Sequence, residues 1–461
     1  MYSQLKNKRI LVGGAGVTGI AVGKSLSSLG AQVTFVDQAP IKVEGFVVLT
    51  PDQITFSEFD YLMISPGWRP DHPLLLAALS AKLPILNEID LAWSRKPARQ
   101  RWIALTGTNG KTSTVELTAA MARAAGLKAI ACGNVGLTAI EAVESPESFD
   151  LLVLELSSFQ LHWMQDAQFS AVAILNIAQD HLDWHGGFNA YAQAKLSLLN
   201  RSEIAILNGD DAEIVTRSQA WRGQKRFFLL DTPRPGEIGI VEELLVDRAF
   251  TADPQEAAMI AELSEVTPTV PHNVANALAA AGLARAIGIS HEAIREAIVG
   301  FTPGKHRIET ILESDGITWI NDSKATNPHA ALASLMSALS VIWIAGGIAK
   351  GAAMDEIAER AKGRIKAAIL FGADSHLIAA SLREKAPAVA IEMISTPTQY
   401  VKGGADNSLM EQIVQKAREL AVAGDTVLLA PACASMDQFL SYGDRGERFV
   451  AAVGKVLRDG H

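Results

Sequence analysis

Two glycine-rich turns, each held between a short apolar run and a helical pattern, restrict this chain more than any other feature. The first lies in "KRILVGGAGVTGIAVGKSLSSLGAQVTFVDQ" and the second in "RWIALTGTNGKTSTVELTAAMARAAG". A short apolar run without polar alternation suits a strand buried on both faces, and such strands are covered by intervening helices in a parallel sheet. The class is therefore α/β. "YLMISPG" and "LPILNE" continue the alternation as far as "SRKPARQ", where Pro97 and clustered charges read as a linker. Strands follow at "LLVLEL", "AVAILN" and "IAILN". "RFFLL" and "IGIVEELLV" read as short antiparallel strands at a sheet edge, and "PHNVANALAAAGLARAIG" as a helix closing the unit. After "GFTPGKHRIE" the pattern restarts with "ITWIND", "SVIWIAGG", "AAILFG" and "DTVLLAP", and a final helix begins near Gly446. A chain of 461 residues exceeds one core. Three α/β units over residues 1–96, 97–300 and 301–461 are the economical arrangement.

The first turn spells G-x-G-x-x-G through Gly14, Gly16 and Gly19, with Val17 and Thr18 opening the helix. Asp37 follows the second strand, where a carboxylate can bond a ribose, and Ser65, Pro66 and Gly67 end the next strand. A dinucleotide and a UDP-sugar both satisfy that pattern. The second turn ends like a phosphate-binding loop, but the pattern G-x-x-x-x-G-K-[ST] asks for glycine where Leu105 stands. What remains is Gly107, Thr108, Asn109, Gly110, Lys111 and Thr112, followed by Ser113. Backbone N–H groups at a helix start favour anions there. Lys111 is placed to meet phosphate and Thr112 to offer its hydroxyl to Mg²⁺. Glu155 closes "LLVLEL" and His181 follows "AVAILN", so Thr112, Glu155 and His181 fall at equivalent strand ends. A switch protein, a kinase or a ligase could use such a loop. Lys195, in "YAQAKLSLL", reads on its own as a solvated helix lysine.

The formal net charge of −9 gives no basic footprint for nucleic acid. Two distant cysteines, Cys132 and Cys433, make a disulfide framework unlikely and fit a reducing cytoplasm. No apolar stretch is long enough to span a bilayer.

The loop "GTNGKT", with "LELSSFQL", "NIAQDHLDWHG", "HNVANALAA", "HRIE", "INDSKATNP" and "APACASMDQF" in that order, resembles the Mur ligase family, ATP-dependent amide-forming enzymes of peptidoglycan assembly. The resemblance covers essentially the whole chain, and its last two motifs look most like the D-glutamate-adding members. It implies Rossmann-like first and third domains around a central P-loop mononucleotide-binding domain. It further implies ligation of D-glutamate to UDP-N-acetylmuramoyl-L-alanine through an acyl phosphate, by a cytoplasmic monomer. By position, Gly107–Ser113, Asn273, Arg307 and Asp322 would hold ATP. Thr112 and Glu155 would bind one Mg²⁺; His181 and a carbamylated Lys195 would bind a second. Lys111, His181, Lys195 and Lys324 would be catalytic. Gly16, Val17, Thr18, Asp37, Ser65, Pro66, Gly67, Asn134 and Ser158 would take the UDP-linked substrate, and Thr326, Lys350, Ser435 and Tyr442 the D-glutamate. Ala349 and Tyr442 depart from the family pattern.

Overall fold

The apolar runs become three largely parallel sheets in a computed structural model, which describes residues 2–39, 41–253, 255–395 and 408–458. The first sheet orders its strands Val47–Leu49, Gln32–Val36, Arg9–Gly13, Tyr61–Ile64 and Ile85–Asn87, all parallel. The helix Val17–Ser28 lies close to its strand because Gly19 has no side chain: a Cβ there would stand 1.9 Å from the Gly14 carbonyl oxygen.

The second sheet has nine strands. Ala129–Gly133, Leu151–Glu155, Arg101–Thr106, Val172–Ile174, Ile204–Asn208, Gln224–Phe228 and Glu237–Val241 run parallel in that spatial order. Leu244–Asp247 and Ala258–Glu262 then add antiparallel. The "RFFLL" strand is thus parallel to its neighbours, and only the segments after it form the antiparallel edge. "IGIVEELLV" is two strands of a hairpin, broken at Glu242, whose φ is 54°. Alternate residues of the strands feed opposite faces. Trp102, Ala104, Leu152 and Leu154 join a core that also contains Ile10, Val12 and Phe35 of the first sheet. Ile103, Leu105, Leu151 and Val153 pack under the alanine-rich helix Pro271–Ala286.

The third sheet runs Glu309–Ser314, Ile317–Asn321, Thr426–Leu429, Val341–Gly346, Ile365–Phe371 and Ala390–Met393. It opens with an antiparallel hairpin, Glu309–Ser314 on Ile317–Asn321, and continues parallel. The final helix starts at Tyr442, one turn earlier than the sequence suggests, and ends at Arg458.

The chain groups into two compact units. One holds Met1–Ile177, Trp184–Thr269 and Asn273–Phe301, and the other holds Ala178–Asp183, Val270–His272 and Thr302–His461. Within the first unit the opening sheet is tied down by the segment after its last strand. The buried Asp90 carboxylate accepts the N–H groups of Gln165, Asp166 and Ala167 at 2.7, 2.9 and 2.9 Å. Glu88 accepts from Ile140 N–H, Asn87 donates to the Trp163 carbonyl, and Arg95 pairs with Glu144. The expected linker is a short connection rather than a free hinge: Lys96 Nζ donates to the Gln100 carbonyl, and the buried Gln100 amide donates to Phe149 O. Among the described residues no helix is long and apolar enough to cross a membrane.

Candidate active site

The phosphate loop is short because the strand before it is long. Leu105, at the position of the missing glycine, lies inside Arg101–Thr106, fully buried and in register with Glu155 and Ala173. Only Gly107–Gly110 turns between strand and helix Lys111–Ala124. Gly110 adopts φ 82°, and a Cβ there would meet Asn276 Oδ1 at 2.3 Å, so a side chain is doubly disfavoured. The loop is braced from the next strand end, where Asn109 N donates to Asn176 Oδ1 at 2.7 Å and Thr108 N to the Asn176 carbonyl at 3.0 Å. Lys111 Nζ curls onto the Gly107 and Thr108 carbonyls, each at 2.9 Å.

Thr112 and Glu155 meet at the sheet edge, the hydroxyl donating to Oε2 at 2.8 Å. Asn134 clasps the same buried carboxylate, donating Nδ2 to Oε1 at 2.9 Å. An adjacent hydroxyl and carboxylate are hard oxygen donors of the kind Mg²⁺ prefers, and Mg²⁺ commonly completes its shell with substrate phosphate and water. The pair therefore fits a phosphate-borne Mg²⁺. Among the described residues no group of three or more His, Cys, Asp or Glu side chains could hold a metal ion.

Lys195 overturns its plain reading as a solvated lysine. It is 2% exposed, because helix Phe188–Leu196 lays its Tyr191–Lys195 face on the phosphate loop. Its Nζ donates to the Gly107 carbonyl at 2.7 Å and sits 4.7 Å from the Tyr191 ring centre. The Tyr191 hydroxyl in turn bonds Thr108 Oγ1 at 2.8 Å. Tyr191 and Asn176 escape residue-by-residue inspection; the available signals are the i, i+4 spacing to Lys195 and the strand-end position. Ser158 Oγ bonds His185 Nε2 at 2.9 Å, another partner that the sequence reading missed.

The first glycine turn lies at the carboxyl ends of Arg9–Gly13, Gln32–Val36 and Tyr61–Ile64, the ligand-binding edge of such sheets. Asp37 steadies it, its Oδ2 accepting from Ala15 N at 2.8 Å. The Ser65 hydroxyl is buried there without a hydrogen-bond partner among the described residues, which a polar ligand would relieve. Val17 at the helix start is exposed, Thr18 and Pro66 are half-exposed, and the Gly67 carbonyl accepts from Trp184 Nε1 at 3.3 Å. Asn273, expected at the adenine, donates Nδ2 to the Pro268 carbonyl at 3.1 Å.

In the second unit, Lys350 Nζ is 2.7 Å from Asp180 Oδ1, while His181 Nε2 is 3.5 Å from Asp180 Oδ2. His181 holds φ 51° and Lys350 φ 52°, strained values for side chains of this size. Lys324 Nζ stands 3.8 Å over the Tyr442 ring. Asn327, beside Thr326, caps helix Pro328–Leu335. Ser435 is buried near the start of the last loop. Asp322 is buried, and loss of solvent pushes its carboxyl up to about 6, opposed by the Ser334 hydroxyl, Ile308 N–H and the field of the half-buried Arg307.

The arrangement thus gathers Lys111, Thr112, Glu155, Asn134 and Lys195 around one loop. Gly16, Asp37, Ser65 and Gly67 lie together at a second edge. Lys324, Thr326, Lys350, Ser435 and Tyr442 lie on the loops and helix start beyond the third sheet.

Residues 105–284 match the Mur ligase middle domain, and residues 306–433 match the Mur ligase glutamate ligase domain. A Streptomyces coelicolor protein named UDP-N-acetylmuramoylalanine–D-glutamate ligase is 44% identical, over 99% of this chain and all of that protein. A Thermobifida fusca protein of the same name is also 44% identical, over 98% and 99%. Among solved structures, a pseudomurein peptide ligase type C from Methanothermus fervidus shares the fold with TM-score 0.59 at 18% identity, covering 96% of this chain and 99% of that one. The ADP complex of MurF ligase from Thermotoga maritima gives 0.59 at 15% identity, covering 100% and 97%. The chain belongs to the Mur ligase family.

Proposed function

We propose that this enzyme joins D-glutamate to UDP-N-acetylmuramoyl-L-alanine at the expense of ATP, in cytoplasmic synthesis of the peptidoglycan precursor. ATP and Mg²⁺ are the expected co-substrate and metal of the family, and relatives bearing the D-glutamate ligase name match over nearly the full chain. The observation that carries the reading is the buried Lys195 amine, held 2.7 Å from the Gly107 carbonyl of the phosphate loop. A lysine drawn into that position can take up CO₂ as a carbamate, exchanging a cation for the anion a second Mg²⁺ requires. His181 would share that ion, and Thr112 and Glu155 would hold the first.

The substrate carboxylate attacks the γ-phosphate of ATP, forming an acyl phosphate and releasing ADP. The D-glutamate amine then adds to the acyl carbon, phosphate leaves, and the amine gives up its proton. Each encounter is between anions, so the chain's contribution is cationic and positional. Lys111 screens the transferred phosphoryl group beside the loop N–H groups, and Lys324 adds charge from the third sheet. Gly16–Thr18, Asp37, Ser65–Gly67, Asn134 and Ser158 hold the UDP-linked acceptor. Asn273, Arg307 and Asp322 hold the nucleotide; Thr326, Lys350, Ser435 and Tyr442 receive the amino acid. Holding three reactants in line contributes up to roughly 7–11 kcal/mol. The working form is a monomer of three domains bounded near residues 96 and 300.

Phosphate release measured with all three substrates, and with each omitted in turn, tests the reading. Turnover that needs all three supports it. Preference for L-glutamate or a diamino acid across an amino-acid panel overturns the substrate assignment.

A further inference from the structure

Arg445 has none of its surface exposed, yet among the described residues its hydrogen bonds reach no carboxylate. It projects from helix Tyr442–Arg458, and its Nε donates to Ser323 Oγ at 3.0 Å. Nη2 donates to the Ser323 carbonyl at 2.9 Å. Nη1 is shared between the carbonyls of Cys433 at 3.2 Å and Gly346 at 3.4 Å. Those residues end, or closely follow, three adjacent strands of the third sheet: Ile317–Asn321, Thr426–Leu429 and Val341–Gly346. One guanidinium therefore joins three strand ends at the edge where open α/β sheets bind their ligands.

The loops it joins are also bonded to one another. Ala432 N donates to the Ala325 carbonyl at 2.9 Å, while Ile348 and Ala434 exchange N–H···O bonds of 2.9 Å. Ser323 Oγ donates to the Tyr442 carbonyl at 2.8 Å, on the residue whose ring lies under Lys324. Burial pulls the Arg445 guanidinium down to about 10 against the opposing field of the Asp437 carboxylate, so it stays charged at neutral pH. A buried cation bonded only to neutral acceptors is an expensive way to fill a core, since apolar residues fill such sites at least as stably. A fork whose geometry and charge serve the loops above it accounts for its presence.

We infer that Arg445 is a positioning residue of the amino-acid site: it fixes from beneath the loops carrying Lys324, Thr326, Lys350 and Ser435, and its charge biases that site toward an acidic amino acid. The inference rests on the assignment of those loops to the incoming amino acid.

The test is steady-state kinetics of Arg445→Lys, which keeps the charge but loses the fork, and of Arg445→Gln, which loses the charge. Arg445→Lys is expected to raise KM for D-glutamate about tenfold, the equivalent of 1.4 kcal/mol. KM for ATP and for the UDP-linked substrate should stay within about twofold. Arg445→Gln should in addition narrow the preference for D-glutamate over D-glutamine. Unchanged constants overturn the inference, as does a parallel fall in every constant that tracks the folded fraction by circular dichroism. If neither variant folds, Ser323→Ala removes one acceptor of the fork, and an unchanged D-glutamate KM there overturns it equally. A wild-type enzyme that ignores D-glutamate would defeat the substrate assignment instead, and the same KM comparison would then be made with the amino acid it does use.

Discussion

Replacing Gly110 by alanine should damage the phosphate loop by two separable routes. Holding alanine at φ 82° costs roughly 1–2 kcal/mol relative to glycine. The new methyl would also stand 2.3 Å from Asn276 Oδ1 and 3.2 Å from its Cγ, so the whole amide must turn. Asn276 is buried on helix Pro271–Ala286, and an off-rotamer side chain costs roughly 0.5–1.5 kcal/mol. Together these give about 1.5–3.5 kcal/mol. For a unit of this size that corresponds to a fall in Tm of roughly 3–14 °C. Differential scanning fluorimetry without nucleotide reads the loss, and phosphate release titrated with ATP reads a raised KM for ATP. Adding Asn276→Ala to Gly110→Ala should recover the steric part and leave the backbone part. An unchanged Tm together with an unchanged KM for ATP would refute the reasoning, and so would a double variant no better than the single one.

Lys195→Ala should lower turnover by at least about 100-fold, and short carboxylates such as formate should restore part of it by standing in for a carbamate; an unrescued variant with full activity removes the assigned role. Burial pushes Glu88 up from 4.5 to about 7, and its Oε2 has no hydrogen-bond partner among the described residues. The folded state therefore binds the extra proton between pH 4.5 and 7, so this group lowers stability as pH rises through that window, by roughly 3 kcal/mol at most. Glu88→Gln should flatten that dependence, which urea midpoints at pH 5 and pH 8 will show; identical slopes in the two proteins contradict it. Asp90→Ala strands three main-chain N–H groups and should cost about 3–5 kcal/mol in chemical denaturation. A loss under about 1 kcal/mol would mean that water replaces the carboxylate.

Local features were readable before any coordinates. Short apolar runs mark most of the parallel strands, since burial is written within a few residues; Val47–Leu49, Ala129–Gly133 and Ala390–Met393 carry too weak a run to stand out. Partners distant in sequence were not. Gln224–Phe228 pairs in parallel because of where Ile204–Asn208 lies, which no local pattern records. The Leu105 position is explained only once the strand is seen to run to Thr106. Lys195 sits in an unremarkable helical stretch; that this face meets Gly107 depends on packing across 88 positions of chain. Arg445, in "YGDRGERF", reads as one more surface charge, and its acceptors come from three other strand ends.

Asp90 and its neighbours decide how this molecule can be divided. A polypeptide cut at residue 96 would not yield two self-sufficient halves. The downstream piece would lose the acceptor for its amides at 165–167, and the apolar wall that Ile10, Val12 and Phe35 share with Trp102 and Leu152 would open to water. Exchanging the opening sheet between relatives would demand that both sides of that seam travel together, so the two glycine turns would have to be moved as one block.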